Sequence, residues 1–147
     1  MTKNYTVSTK INRPVKDVFD AIVSGELMIK YFTDSVSGDL VVGETIEWTW
    51  DEYGSNLIKV EKVVPSELIE LSLDSKNWSK TKDDNYTVTV SFEFEALDDR
   101  TTRLSISESG WRDDAEGYAG SHDNCGGWQH MLCCLKAYLE YGVDLRR

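Results

Sequence analysis

The stretch Tyr86-Thr87-Val88-Thr89-Val90-Ser91-Phe92-Glu93-Phe94-Glu95-Ala96 decides the fold class. Tyr86, Val88, Val90, Phe92, Phe94 and Ala96 share one side of a strand, and Thr87, Thr89, Ser91, Glu93 and Glu95 share the other. Strict alternation over eleven residues marks one dry face and one wet face. A strand of a parallel sheet, buried on both faces, would instead read as an unbroken apolar run; the sheet is therefore expected to be antiparallel and half covered. Downstream, Asp98-Asp99-Arg100 turns the chain into a strand over residues 101–109, with Leu104 and Ile106 on its inner register. Upstream, residues 57–64 and 68–73 read as strands around the break Pro65-Ser66. Ile46, Trp48 and Trp50 share one face of an earlier strand, and residues 36–40 form a short one.

The two ends have a different period. Residues 4–10 alternate as a strand, and Arg13-Pro14 then opens a helix, where a missing N–H costs nothing. Val15, Val18, Phe19 and Ile22 make its apolar face at i, i+3, i+4 and i+7, and Gly25 stops it. Apolar residues 27–32 suggest a second short helix. Near the C-terminus, Trp128, Met131, Leu132, Leu135, Tyr138 and Leu139 fall within an arc of about 120°. A helix from Cys125 to Tyr141, roughly 25 Å long, is expected there, closed by Gly142. Residues 74–85 and 110–124 read as polar loops. The order is one strand, a helix pair, a run of strands and one long helix. This is an α+β pattern in which helices cover one face of an antiparallel sheet of six to seven strands.

A chain of 147 residues is expected to form one domain, residues 1–147, that folds without a disulfide or metal. Twenty-six acidic residues against sixteen Lys and Arg leave a net charge of −10, which argues against a nucleic-acid partner or an anionic membrane surface. No apolar run approaches the ~20 residues of a membrane span, so no membrane insertion is expected. The polar, alternating N-terminus is unlike a secretory signal, and three cysteines, two of them adjacent, do not suggest a disulfide framework. A reducing, cytoplasmic setting is expected.

Several motifs are familiar together. Arg13-Pro14-x-x-x-Val18-Phe19, Pro65 between central strands, Thr102-x-Leu104 and Ser109-Gly110-Trp111 are joined by Gly127-Trp128-x-x-Met131-Leu132-x-x-Leu135-Lys136-x-Tyr138-Leu139-Glu140-x-Gly142. The chain thereby resembles, over essentially its whole length, the AHSA family. These are homologues of the activator of the Hsp90 chaperone ATPase, within the START-like, Bet v-type (SRPBCC) helix-grip superfamily. The resemblance implies a curved sheet wrapped around the C-terminal helix with a ligand cavity between them. Superfamily members hold lipids, polyketides or flavonoid-like aromatics there, and some act as cyclases or aromatases. Eukaryotic co-chaperones of the family carry a further N-terminal domain for which 147 residues leave no room. A chaperone partner therefore ranks behind ligand binding.

Aromatic walls bind flat apolar ligands, and Trp48, Trp50, Tyr86, Phe92, Trp111, Trp128 and Met131 are the candidate lining, although such rings serve equally as core. Glu108 continues the inward register of Leu104 and Ile106. A buried carboxylate is costly unless paired, so it either orients a ligand hydroxyl, acts as an acid/base, or sits at the strand's rim. Binding rather than catalysis is expected, with Glu108 the single catalytic candidate. His122, Cys125, His130 and Cys133 form an H-x2-C-x4-H-x2-C pattern, but on a helix its ends lie about 16 Å apart, too far for one metal. No metal and no cofactor are expected. Cys133 and Cys134 lie off the apolar arc with nothing to activate them, and no serine triad is recognisable. Gly126-Gly127 lacks phosphate-loop spacing. Lys76, Lys80 and Lys82 around Trp78 form a basic loop that serves as a lid, a partner contact or an edge cover.

Overall fold

The computed structural model describes residues 2–74 and 86–147. The loop around Trp78 and its lysines lies outside the described residues. The elements run β1 (Lys3–Ile11), α1 (Val15–Val23), α2 (Gly25–Met28), β2 (Ser35–Val36), β3 (Thr45–Trp50), β4 (Gly54–Val64), β5 (Leu68–Asp74), β6 (Thr87–Asp98), β7 (Thr101–Ser109) and α3 (Ala115–Tyr141). The strands form one sheet in the order β1-β7-β6-β5-β4-β3-β2, every neighbouring pair antiparallel.

Strand β6 is interior, third in that order between β7 and β5, and its alternation is realised in space. Val88, Val90, Phe92 and Phe94 are buried, while Thr87, Glu93 and Glu95 face solvent. Ala96, expected inward, is exposed, because the strand has run past the core and a register shift falls between Ala96 and Asp98. Phe92 pairs with Ile106 on β7 and Ile69 on β5, so the apolar faces of three strands align. Full burial of a side chain such as Phe92 contributes about 1.5–3 kcal/mol, and this row is what holds the register. Irregularities at Lys3/Tyr5, Val60/Lys62 and Ala96/Asp98 bend strands β1, β4 and β6.

Helix α1 buries Val18, Phe19, Ala21 and Ile22, and the Phe19 ring meets Phe94 edge-on at 5.3 Å. Pro14 stands just outside the helix, its carbonyl accepting from the Asp17 and Val18 N–H groups. Helix α3 lies against β1, where Lys136 Nζ donates to Lys10 O at 2.6 Å and Arg13 Nε donates to Leu139 O at 2.7 Å. Glu140 ties the same end down by accepting from the Asn12 backbone and side-chain N–H groups. Burial pushes the Glu140 carboxyl up, but these donors and Lys136 outweigh it and hold the group below its ordinary range.

Three further expectations need correction. Helix α3 starts at Ala115 rather than Cys125, so most of the expected loop 110–124 is helical and the helix is 27 residues, about 40 Å, long. Asp114 caps it, its carboxylate accepting from the Gly117 N–H at 2.8 Å. The short strand expected over residues 36–40 is only Ser35–Val36. Cys134, expected off the apolar face, is buried as part of the hydrophobic core cluster, and residues 145–147 line the same cleft.

Candidate functional site

The segment leaving α2 carries Tyr31 and Phe32, and Phe32 is the hub of an aromatic cluster. Its ring meets Trp48 at 5.5 Å and Trp50 at 5.1 Å, both edge-on, and Trp128 at 5.6 Å, tilted. Alternation on β3 puts Trp48 and Trp50 on one face, and Trp50 Nε1 donates to Phe32 O at 3.0 Å. Tyr31 stacks on Tyr138 at 6.0 Å and donates from Oη to Ala21 O at 2.7 Å. Burial, and then the nearby Tyr138, hold the Tyr31 phenol protonated far above its ordinary range.

An open cleft of about 1190 Å³ lies against this cluster. Phe32, Trp48, Trp50, Trp128 and Met131 form its apolar wall. Tyr53 and Asn56 from the β3–β4 hairpin, His130 and Cys134 from α3, and Leu145, Arg146 and Arg147 from the tail complete it. Arg146 fixes the tail. Its guanidinium donates to Ile29 O at 2.9 Å, Thr33 O at 3.0 Å and Asp144, and Arg147 pairs with Asp34 at 3.5 Å. The Arg146 hydrogen bond, offset partly by burial, holds the Asp144 carboxyl down at about 2. On α3, burial pushes the Cys134 thiol up, and His130 Nε2 lies 3.5 Å from its sulfur.

Trp48, Trp50, Trp128 and Met131, four of the candidate residues read from the sequence, therefore come together at the cleft. The other four lie elsewhere. Phe92 is fully buried beneath Trp128, ring to ring at 5.5 Å, and Tyr86 packs edge-on against Trp111 at 6.3 Å. Glu108 points inward, as the register of Leu104 and Ile106 implied, and is fully buried. Its Oε1 accepts from Trp111 Nε1 at 2.7 Å; its Oε2 accepts from Trp128 Nε1 at 2.9 Å and Asn124 Nδ2 at 3.1 Å. All three partners are N–H donors, the complement of an acceptor-only carboxylate. Glu108 does not line the cleft; it stands behind Trp128. The Tyr5 hydroxyl is buried nearby and, among the described residues, has no partner in hydrogen-bonding geometry. Burial, then the Glu108 charge, hold it protonated far above its ordinary range. Among the described residues no three His, Cys, Asp or Glu side chains are grouped to hold a metal ion, and no helix is long and apolar enough to cross a membrane.

Sequence reasoning missed Phe32, Tyr31 and the tail. Phe32 could have been found as the last residue of the apolar run 27–32, whereas Arg146 carries no local signal.

The model for the family described as Activator of Hsp90 ATPase homolog 1-like protein matches residues 12–140. This chain belongs to that family. The AHSA match stops short of the tail, so Leu145, Arg146 and Arg147 at the cleft lie beyond it. No curated protein matches. Among solved structures, protein SSP2350 from Staphylococcus saprophyticus is 27% identical with a TM-score of 0.74, the match covering 97% of this chain and 96% of that one. The Aha1 dimer from Colwellia psychrerythraea is 23% identical with a TM-score of 0.77, covering 97% and 98%. DynU16, a protein in the dynemicin biosynthetic locus, shares the fold at 16% identity and a TM-score of 0.76, covering 93% of this chain and 47% of that one. The helix-grip arrangement of seven antiparallel strands and a long C-terminal helix is common to this AHSA protein and these neighbours.

Proposed function

We propose that this AHSA protein binds a compact hydrophobic small molecule in the cleft between the β3–β4 hairpin, α3 and the tail. The observation that carries the reading is the convergence of Phe32, Trp48, Trp50, Trp128 and Met131 on one open cleft of about 1190 Å³. That volume slightly exceeds the roughly 300–1,000 Å³ of small-molecule sites, and the mix of an apolar wall with a few polar side chains is typical of them. The decisive experiment is an NMR titration with lipids, flavonoid-like aromatics and polyketide mimics, reading the indole N–H signals. Saturable shifts at Trp50 and Trp128, weakened in Trp50→Ala, are expected. A well-folded sample with no shift across the panel would overturn the reading.

Membership of the AHSA family and the Aha1 neighbour favour a second reading, regulation of a chaperone ATPase. It predicts a changed ATPase rate of an Hsp90-type chaperone on addition of this protein; an unchanged rate at saturating concentration removes it.

A further inference from the structure

The charges around the cleft do not cancel. Two of them, on Arg146 and Arg147, are already answered. Arg146 is bound by Asp144 and by the carbonyls of Ile29 and Thr33, and Arg147 by Asp144 and Asp34. Asp34 is further engaged by the Asp51 backbone N–H at 2.7 Å. The remaining carboxylates lining the cleft are Asp51 and Glu52, at the turn between β3 and β4, and Asp123 on α3. They flank it from two different elements, and none of the three side chains makes an ion pair among the described residues.

We propose that the cleft takes its hydrophobic ligand as a cation, an aromatic or aliphatic body carrying an ammonium group. The aromatic wall holds the body, and Asp51, Glu52 and Asp123 receive the charge. This inference rests on the ligand-binding reading and adds the ligand's charge to it. Three arguments converge. An anionic ligand such as a fatty acid meets three uncompensated carboxylates within a field of net charge −10, and its natural counter-ion, Arg146, would first have to break its bonds to Asp144 and two carbonyls. A neutral ligand can at most donate a hydrogen bond to a carboxylate and gains no charge–charge attraction. A cation gains from them and can also gain from the aromatic rings of Trp50, Phe32 and Tyr53, which line the same cleft.

The test compares three probes that share a naphthylmethyl body, naphthylmethylammonium, naphthylmethanol and naphthylacetate, by the indole N–H shifts of Trp50 and Trp128. At low ionic strength the ammonium probe is expected to bind about tenfold tighter than the alcohol, and the carboxylate weakest. The advantage should shrink as salt is added. It should also collapse in the Asp51→Asn, Glu52→Gln, Asp123→Asn triple variant, whose exposed substitutions leave the core untouched and whose fold the same spectra check. Equal binding of ammonium and alcohol overturns the charge assignment while leaving the hydrophobic cleft standing. Full cation preference in the triple variant overturns the role given to these carboxylates. If no probe moves either indole, the ligand-binding reading falls and this inference with it.

Discussion

Trp128 Nε1 donates to Glu108 Oε2 at 2.9 Å, so a buried carboxylate on β7 fixes the ring that walls the cleft from α3. The same carboxylate holds Trp111 at 2.7 Å through its other oxygen. One side chain thereby links the last strand, the turn after it and the helix.

Replacing Glu108 should therefore cost stability before it costs anything else. Glu108→Ala leaves the N–H donors of Trp111, Trp128 and Asn124 without their acceptor and opens a void, a loss expected to exceed about 3 kcal/mol. Glu108→Gln keeps the volume but must turn its NH2 toward at least one indole N–H, at about 1–3 kcal/mol. Urea denaturation with near-ultraviolet circular dichroism of the indoles measures both. A loss below about 1 kcal/mol for the Ala variant would show that the carboxylate is not what holds the two rings.

The glycines of α3 fall into two groups with opposite predicted signs. A Cβ at Gly120 would run into the Trp111 ring, and one at Gly117 into the Arg112 backbone, so Gly120→Ala and Gly117→Ala should destabilise. A Cβ at Gly126 meets nothing within 4 Å, and Gly126→Ala should stabilise by about 0.5–1 kcal/mol through helix propensity alone. Thermal melts of the three variants separate the cases. A Gly120→Ala protein as stable as wild type would mean that Trp111 does not sit against the helix.

Those glycines also explain what the sequence concealed. Strand β6 was legible because burial on one face imposes a period of two, and the C-terminal half of α3 because Trp128 to Leu139 keep a helical period. The first ten residues of α3 carry Gly117 and Gly120 where an apolar stripe would normally be, since close packing there calls for the absence of a side chain rather than for a large one. Glu108 could be placed inward from Leu104 and Ile106, but its three donors come from positions 111, 124 and 128, which no local pattern joins. The cleft was half legible. Trp48 and Trp50 advertise themselves through strand register, whereas Phe32 and Arg146 reach it by a bend after α2 and by a tail folding back.

Burial on α3 also sets an expected order of thiol labelling. Cys133 is exposed, whereas Cys134 is buried and its thiol is pushed up by burial. At neutral pH a thiol reagent should modify Cys133 quickly and Cys134 slowly, with Arg146→Ala accelerating Cys134 by loosening residues 145–147. Mass spectrometry of digests reads each site. Equal rates in the wild-type protein would contradict the burial of Cys134.

The Arg146 clasp should also release in acid, within a window that its chemistry defines. Asp144 titrates at about 2 in the folded chain because Arg146 bonds to its carboxylate, against an ordinary value of 3.8. A group depressed on folding adds stability that is complete above its unfolded value. That stability is lost as pH falls through the folded value, because the unfolded chain takes up the proton first. The Asp144 contribution should thus be intact at pH 5 and above, decline below about 4, and be gone below about 2. The Arg146 Nε–H signal, bonded to Asp144 Oδ1 at 2.9 Å, reports the clasp directly. Its proton chemical shift should hold steady from neutral pH down to pH 5, move toward that of a free arginine across that window, and sit displaced from the wild-type position at neutral pH in Asp144→Asn. A signal unchanged from pH 5 to pH 2 would rule out Asp144 as the partner that holds Arg146, and with it the account of how the tail is kept at the cleft.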